Sequence, residues 1–181
     1  MEVVAALTID GQDYVAVAFD KGKITFRHER FKDYKVHRKA TPDDLRPQFP
    51  LLKDILKAMQ IPVFEIENFE ADDIIGTLAT AAEKNNLNCL ILSGDQDIMQ
   101  LITSKTHVLY TKKGISQLEE YDIEAVKKRF GVLPEFIPDL KGLTGDPSDN
   151  IPGVPGIGIK TASKLLQQYE SLDRLIEKKD R

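Results

Sequence analysis

Eight carboxylates in four short stretches are the residues best placed to do chemistry. "VAVAFD" ends on Asp20, "EADDIIG" carries Glu70, Asp72 and Asp73, "LILSGDQD" closes on Asp95 and Asp97, and "TGDPSDNIPG" holds Asp146 and Asp149. Carboxylates brought together repel one another and resist desolvation, so a dense set makes sense where divalent cations neutralise it. Oxygen ligands with no His or Cys among them point to Mg²⁺ or Mn²⁺ rather than zinc. Two such ions about 4 Å apart activate a water and stabilise the charge of an in-line phosphoryl displacement. Each stretch also has a plain reading. Glu70, Asp72 and Asp73 would complement a helix dipole, and Asp95 and Asp97 after Gly94 would form a turn and cap. It is their joint placement that favours a metal site. His28, His37 and His107 show no spacing of a nucleophilic triad, and His107 reads as a structural strand residue.

A second chemical feature is charge. Between Lys21 and Ala40 there are eight basic residues against two acidic ones, so the rest of the chain carries about −10 of a formal charge of −4. A basic segment on an acidic body suits a polyanion held near bound metal, although such a run can also be an ordinary solvated face. Phe26, Phe31 and Tyr34 interleave with Arg27, Lys35 and Arg38 there. Aromatics at this spacing could stack on the bases of a single strand, or Phe26 and Phe31 could anchor the segment to the core.

The elements that must position these groups follow from patterning. "DYVAVAFD" alternates as a buried strand, and Thr41 with Pro42 predicts the start of a helix running to about Met59. "PVFEIE", "LNCLILSGDQD" and "THVLYT" read as strands, "EADDIIGTLATAAEKNN", "DIMQLI" and "DIEAVKKRF" as helices, and "KKGIS" as a turn. This alternation predicts an α/β fold with a mainly parallel sheet, where ligands gather at the carboxyl ends of the strands. After Pro134 only helices and tight turns remain, as a compact helical module. Within it, "GVPGIGIKTA" has the spacing of a helix-hairpin-helix turn, whose glycines admit a close backbone and whose helix amides face a phosphate, with Lys160 adding charge.

At 181 residues and 41% hydrophobic content the chain can bury one sizeable core with a small appended module. No stretch is long and apolar enough for a membrane helix, and the start does not read as a secretory signal, so a cytoplasmic protein is expected. The lone Cys89 sits in an apolar run and reads as a buried, reduced core thiol.

The motifs "VAFD", "FRHE", "YKVHRKATP", "EADDIIGTLA", "SGDQDIMQL" and "LKGLTGDPSDNIPGVPGIGIKTASKLL" resemble, in order and over nearly the whole chain, the 5′-nuclease domain of bacterial DNA polymerase I, within the flap endonuclease superfamily. The resemblance implies a PIN-like domain at 1–133 and a helix-three-turn-helix module at 134–181. It implies a 5′-3′ exonuclease and structure-specific flap endonuclease that uses two Mg²⁺ or Mn²⁺ ions, removes flaps and RNA primers from DNA, and accompanies an attached or separate polymerase. Carried onto matching positions, the metal ligands are Asp20, Glu70, Asp72, Asp73, Asp95, Asp97, Asp146 and Asp149. Arg27, Lys35 and Arg38 contact the scissile phosphate and the threaded 5′ strand. Gly153, Gly156, Gly158, Lys160 and Thr161 grip the duplex, with a K⁺ ion in the turn.

One departure is expected. The family has an earlier strand ending in an apolar-Asp-Gly motif whose aspartate is a ligand, and "LTIDG" copies it too close to the next strand for a parallel crossover. The chain thus reads as shortened at its start, with Met1 to Thr8 as the end of a helix and "DGQD" as the turn out of it. The competing reading is a hairpin pairing Val3–Ile9 with Tyr14–Phe19. A shortened chain is expected to bind DNA with weakened nuclease activity. Two rival classes stay open, a non-catalytic structure-specific DNA-binding module and a phosphatase using "GDQD".

Overall fold

The computed structural model describes residues 3–9, 14–112 and 117–178. A six-stranded sheet with strand order β3-β2-β1-β4-β5-β6 forms its centre. The strands are β1 (Val3–Ile9), β2 (Tyr14–Phe19), β3 (Val63–Phe64), β4 (Cys89–Ser93), β5 (Thr106–Thr111) and β6 (Leu118–Tyr121). β2 pairs parallel to β3 and β4 parallel to β5, while β1 runs antiparallel to both β2 and β4, and β6 antiparallel to β5.

Two sequence expectations change at this sheet. Residues 3–9 are a strand rather than a helix end, because "VVAALTI" fills the slot between β2 and β4 and satisfies the ladder on both sides. The hairpin alternative is therefore the one observed. Ile9 pairs with Tyr14 and with Cys89, the first residues of β2 and β4, so β1 ends at the opposite edge of the sheet from Asp20 and Asp95. The "DGQD" turn, and all of "KKGIS" except Lys112, lie outside the described residues. β6 was not expected at all. Its sequence "LEEY" has no apolar alternation, and its paired glutamates suit a short edge strand that must discourage further pairing.

The helices are α1 (Phe26–Arg30), α2 (Gln48–Ala58), α3 (Ala71–Lys84), α4 (Ile123–Phe130), α5 (Ile137–Thr144), α6 (Ile159–Tyr169) and α7 (Leu172–Lys178), with 3₁₀ turns at Asp97–Leu101 and Pro134–Phe136. α2 begins six residues later than Pro42 predicts. Residues 42–46 close only one turn, and Pro47, which lacks an amide and disfavours a helical residue before it, restarts the helix as its N-cap. α4 follows its sequence closely. The Asp122 side chain accepts from the Ala125 amide at 2.8 Å, and Gly131 ends the helix at φ 74°.

β2 divides the interior by its period of two. Ala18 faces the main core with Ile74, Ile75, Ile91 and Val108, whereas Val17 and Phe19 face a smaller core with Phe49 and Leu56 of α2. Leu140 and Leu143 of α5 and Ala162 and Leu166 of α6 belong to the main core too. The helical module is thus packed into the α/β unit rather than appended to it. Among the described residues no helix is long and apolar enough to cross a membrane.

Candidate metal centre

β2, β3 and β4 run the same way, and their carboxyl ends carry the first group of acidic side chains. Asp20 follows β2, and its Oδ1 accepts from the Ala71 amide at 2.7 Å, which pins the start of α3 to the end of that strand. Glu70, the buried residue before α3, accepts from Tyr34 Oη at 3.0 Å and from Lys35 Nζ at 2.9 Å. After β4 the Asp95 amide donates to Ser93 Oγ, and Asp95 Oδ1 accepts from the Asp97 amide at 2.8 Å. The turn reading of that aspartate is observed, whereas the cap position of the following 3₁₀ turn falls on Gln96. Asp72 shows how close these groups are. Burial, then the charges of Asp95, Glu70 and Asp20, push its carboxyl up to about 7 despite Lys35. Among the described residues no side-chain cation pairs with Asp20, Asp72 or Asp95.

The second group joins the sheet to the helical module. Asp97, Asp146 and Asp149 each present an oxygen within 4.8 Å of the others. Lys141, in the last turn of α5, pairs with Asp97 and donates to Asp146 Oδ2 at 2.7 Å. Asp146 Oδ1 also accepts from the amide and hydroxyl of Ser148 at 2.9 and 2.6 Å. Burial alone would raise Asp146, but the bonds from Lys141 and Ser148 prevail and hold it down at about 2. Asp149 accepts from Tyr34 Oη at 3.0 Å and from Arg38 at 3.1 Å, with Lys35 Nζ 3.9 Å away.

Asp73 adjoins Glu70 through the capping box at the start of α3, but its side chain is engaged by Arg27. Both of its oxygens accept from the Arg27 guanidinium, at 2.7 and 2.8 Å, and Oδ2 accepts from the Glu70 amide. Burial pushes this carboxyl upward, but the Arg27 bonds and that amide bring it below the usual range. In this geometry Asp73 holds Arg27 and closes the first turn of α3.

The basic segment folds back over the site as α1 and a run of turns. The Lys35 amide donates to the Asp149 carbonyl at 3.0 Å and Asn150 Nδ2 to the Asp33 carbonyl at 2.9 Å, with Lys35 itself at φ 55°. Arg27, Lys35 and Arg38 all reach carboxylates. Of the three aromatics, Tyr34 is buried between Glu70 and Asp149 and cannot stack on a base, and Phe26 lies against Phe69 with ring centroids 5.8 Å apart. Phe31 is exposed.

In the helical module the glycines divide. A Cβ on Gly153 would lie 2.3 Å from the Thr144 carbonyl carbon, so this residue serves the close crossing of residues 144–145 and 153. Gly156 takes φ 81°, and a Cβ on Gly158 would meet nothing within 4 Å. Gly158 is the N-cap of α6 and offers no side chain to the first amides, while Lys160 and Thr161 are exposed beside it. A cleft of about 550 Å³ joins this surface to the carboxylates, lined by Asp95, Gln96, Tyr110, Lys141, Asp146 and Ile159.

Sequence reasoning missed Lys141 as a participant and read Tyr34 only as a ring that could stack on a base. The available signal was position: a lysine in the last turn of a helix, five residues before Asp146, can reach back to it. Cys89 is the buried thiol expected, pushed up to about 12 by burial, and His107 bonds Glu120 across β5 and β6 at 2.8 Å.

Asp97, Asp146 and Asp149, with no nitrogen or sulfur donor among them, offer oxygens close enough together for a hard divalent ion, and Asp20, Glu70, Asp72 and Asp95 lie near enough to act on one another's charge. Residues 1–131 match the family described as 5′-3′ exonuclease, N-terminal resolvase-like domain, and residues 132–181 match 5′-3′ exonuclease, C-terminal SAM fold. DNA polymerase I of Bacillus caldotenax is 54% identical over 163 residues, which are 90% of this chain and 19% of that protein. The Bacillus subtilis DNA polymerase I is 53% identical over 167 residues, 92% of this chain and again 19% of the relative. The chain thus spans about a fifth of the length of these curated relatives. Among solved structures, a bacteriophage T5 5′-exonuclease with bound zinc superposes with a TM-score of 0.77 at 28% identity, covering 91% of this chain and 63% of that one. A T5 flap endonuclease complex with DNA and metal ions gives 0.76 at 27% identity, covering 90% and 62%. The catalytic core of Rad2 with DNA, at 20% identity and a TM-score of 0.56, covering 87% and 47%, shares the fold.

Proposed function

Because this chain belongs to the 5′-3′ exonuclease family, we propose that it is the nuclease portion of a DNA polymerase I type protein, hydrolysing phosphodiesters at DNA 5′ ends to remove flaps and primer RNA. The observation that carries this reading is the meeting of seven carboxylates in two adjacent groups at one end of the sheet, beside a cleft leading to an uncapped helix start. Asp20, Glu70, Asp72 and Asp95 would hold one Mg²⁺ or Mn²⁺, and Asp97, Asp146 and Asp149 a second. Such ions lower the pKa of bound water and neutralise charge on a transferring phosphoryl group.

The chain's own residues do the rest. Lys35 and Arg38, released from Glu70 and Asp149 by metal, and Arg27, kept in place by Asp73, bind the phosphate and the 5′ strand. Residues 134–181 act as the duplex-gripping part and 1–133 as the catalytic part. Gly156 and Gly158 let the backbone approach a phosphate, Lys160 and Thr161 add contacts, and turn carbonyls offer a K⁺ position. A polymerase domain would supply the junction to be cut, and a cytoplasmic location is the one this reading expects.

The test is a labelled 5′-flap duplex incubated with Mg²⁺ or Mn²⁺. Release of short 5′ products, absent with chelator and absent on p-nitrophenyl phosphate, is expected. Failure to cut with either metal while the duplex is still bound would favour the second reading, a DNA-binding module without turnover. One observation supports that alternative: four of the chain's own cations, Arg27, Lys35, Arg38 and Lys141, already pair with Asp73, Glu70, Asp149, Asp97 and Asp146.

A further inference from the structure

Three anions within 4.8 Å of one another need positive charge close by, and at Asp97, Asp146 and Asp149 the chain provides it. Lys141 touches two of the three, and Lys35 and Arg38 serve the third. The lysine stem is only partly covered, with 31% of the side chain exposed. It borders both the cleft beside Asp95 and a neighbouring cleft of about 450 Å³ next to Gly142, so it has room to leave. An ammonium on a flexible four-carbon stem suits such a position, since it neutralises as a point charge and withdraws without breaking a bidentate fork.

We infer that Lys141 is an internal competitor for the cation position formed by Asp97, Asp146 and Asp149, occupying it in the metal-free protein and yielding it to a divalent ion. This rests on the reading that the carboxylates hold such ions. Lys141 then acts as a positioning residue. It keeps the second group assembled before metal arrives, and it lowers the affinity of that group relative to the first, where no lysine or arginine pairs with Asp20, Asp72 or Asp95 among the described residues. Linkage makes the effect reciprocal, so what Lys141 contributes to the metal-free fold it subtracts from metal binding.

Titration of the full chain with Mn²⁺ in the absence of DNA, following free Mn²⁺ by electron paramagnetic resonance, tests this. The wild-type chain is expected to show a tighter and a weaker class of site. Lys141→Met, which keeps the stem and removes the charge, is expected to tighten the weaker class about tenfold, within the usual range for two coupled events. The same variant should melt at lower temperature without metal and gain more from saturating Mn²⁺ than wild type does. Lys141→Arg should behave as wild type, and Lys141→Gln gives a polar, uncharged variant should the methionine fail to fold. Unchanged or weakened Mn²⁺ binding in the uncharged variants would overturn the competitor role. Cleavage is not the readout: a chain that binds Mn²⁺ as described but never cuts a flap contradicts the proposed function alone, whereas no Mn²⁺ binding at all contradicts both.

Discussion

Asp72 and Asp146 lie in one site and shift in opposite directions. Burial beside Asp95, Glu70 and Asp20 pushes Asp72 up to about 7, whereas Lys141 and Ser148 outweigh burial and hold Asp146 at about 2. The difference follows the elements that carry them. The first group sits on strand ends and a helix start that the main core fixes in place, so its charges are held together by the frame. The second is delivered by a loop of the helical module, which stays in place because lysine, arginine, serine and tyrosine partners tie it down. Among the described residues only Glu70 of the first group pairs with the chain's own cations, Lys35 among them, whereas every carboxylate of the second is paired by the chain itself.

Four experiments press on that contrast. The largest effect is expected from Asp95→Ala, which opens the first group without touching the cations of the second. Flap cleavage in single-turnover assays should fall by about 10³-fold, the scale of several kcal/mol of charge stabilisation, while a gel shift shows the DNA still bound. Undiminished cleavage would mean that the first group is not the reactive one. Next is Gly153→Ala, which drives a methyl into the Thr144 backbone and should cost about 3 kcal/mol in urea unfolding. Tight-class Mn²⁺ binding should survive in this variant, and loss of both classes would show that the groups are not independent.

Tyr34→Phe removes the one hydroxyl that reaches Glu70 and Asp149 together, and about 2 kcal/mol of stability should go with it. Saturating Mg²⁺ should shrink that deficit, because the carboxylates then have another partner. A deficit independent of Mg²⁺ would assign the ring to packing alone. The smallest change is Gly158→Ala, where the new methyl meets nothing. Folding should lose only about 0.5 kcal/mol. Duplex affinity should weaken measurably, and unaltered affinity would remove the α6 start from the DNA surface.

Much of this was legible from local patterns. The apolar period of α3 and β4, the Asp122 cap with its Gly131 stop, and the carboxylates at strand ends all express rules that act within a few residues. What could not be read depends on contacts between distant segments. Nothing near Tyr34 announces that its hydroxyl lies between two carboxylates, nothing near Asp73 announces Arg27, and Gly153 looks like a ligand-approach glycine until Thr144 is placed against it. The direction of β1 belongs to the same class, since "VVAALTI" is chosen as a strand by the two neighbours it joins.

The bond from Tyr34 to Asp149 spans 115 residues, and the Asn150 to Asp33 bond spans 117. Contacts so far apart along the chain form late in folding, after the loop between them has closed. On the ribosome, synthesis from the N-terminus therefore produces the strand-end carboxylates well before their loop-borne partners. The first group cannot be joined to the second until residue 150 has emerged, which makes completion of the site a timed event in the life of the nascent chain. A partly made polypeptide displays half of the carboxylate site, and the other half waits for the rest of the molecule.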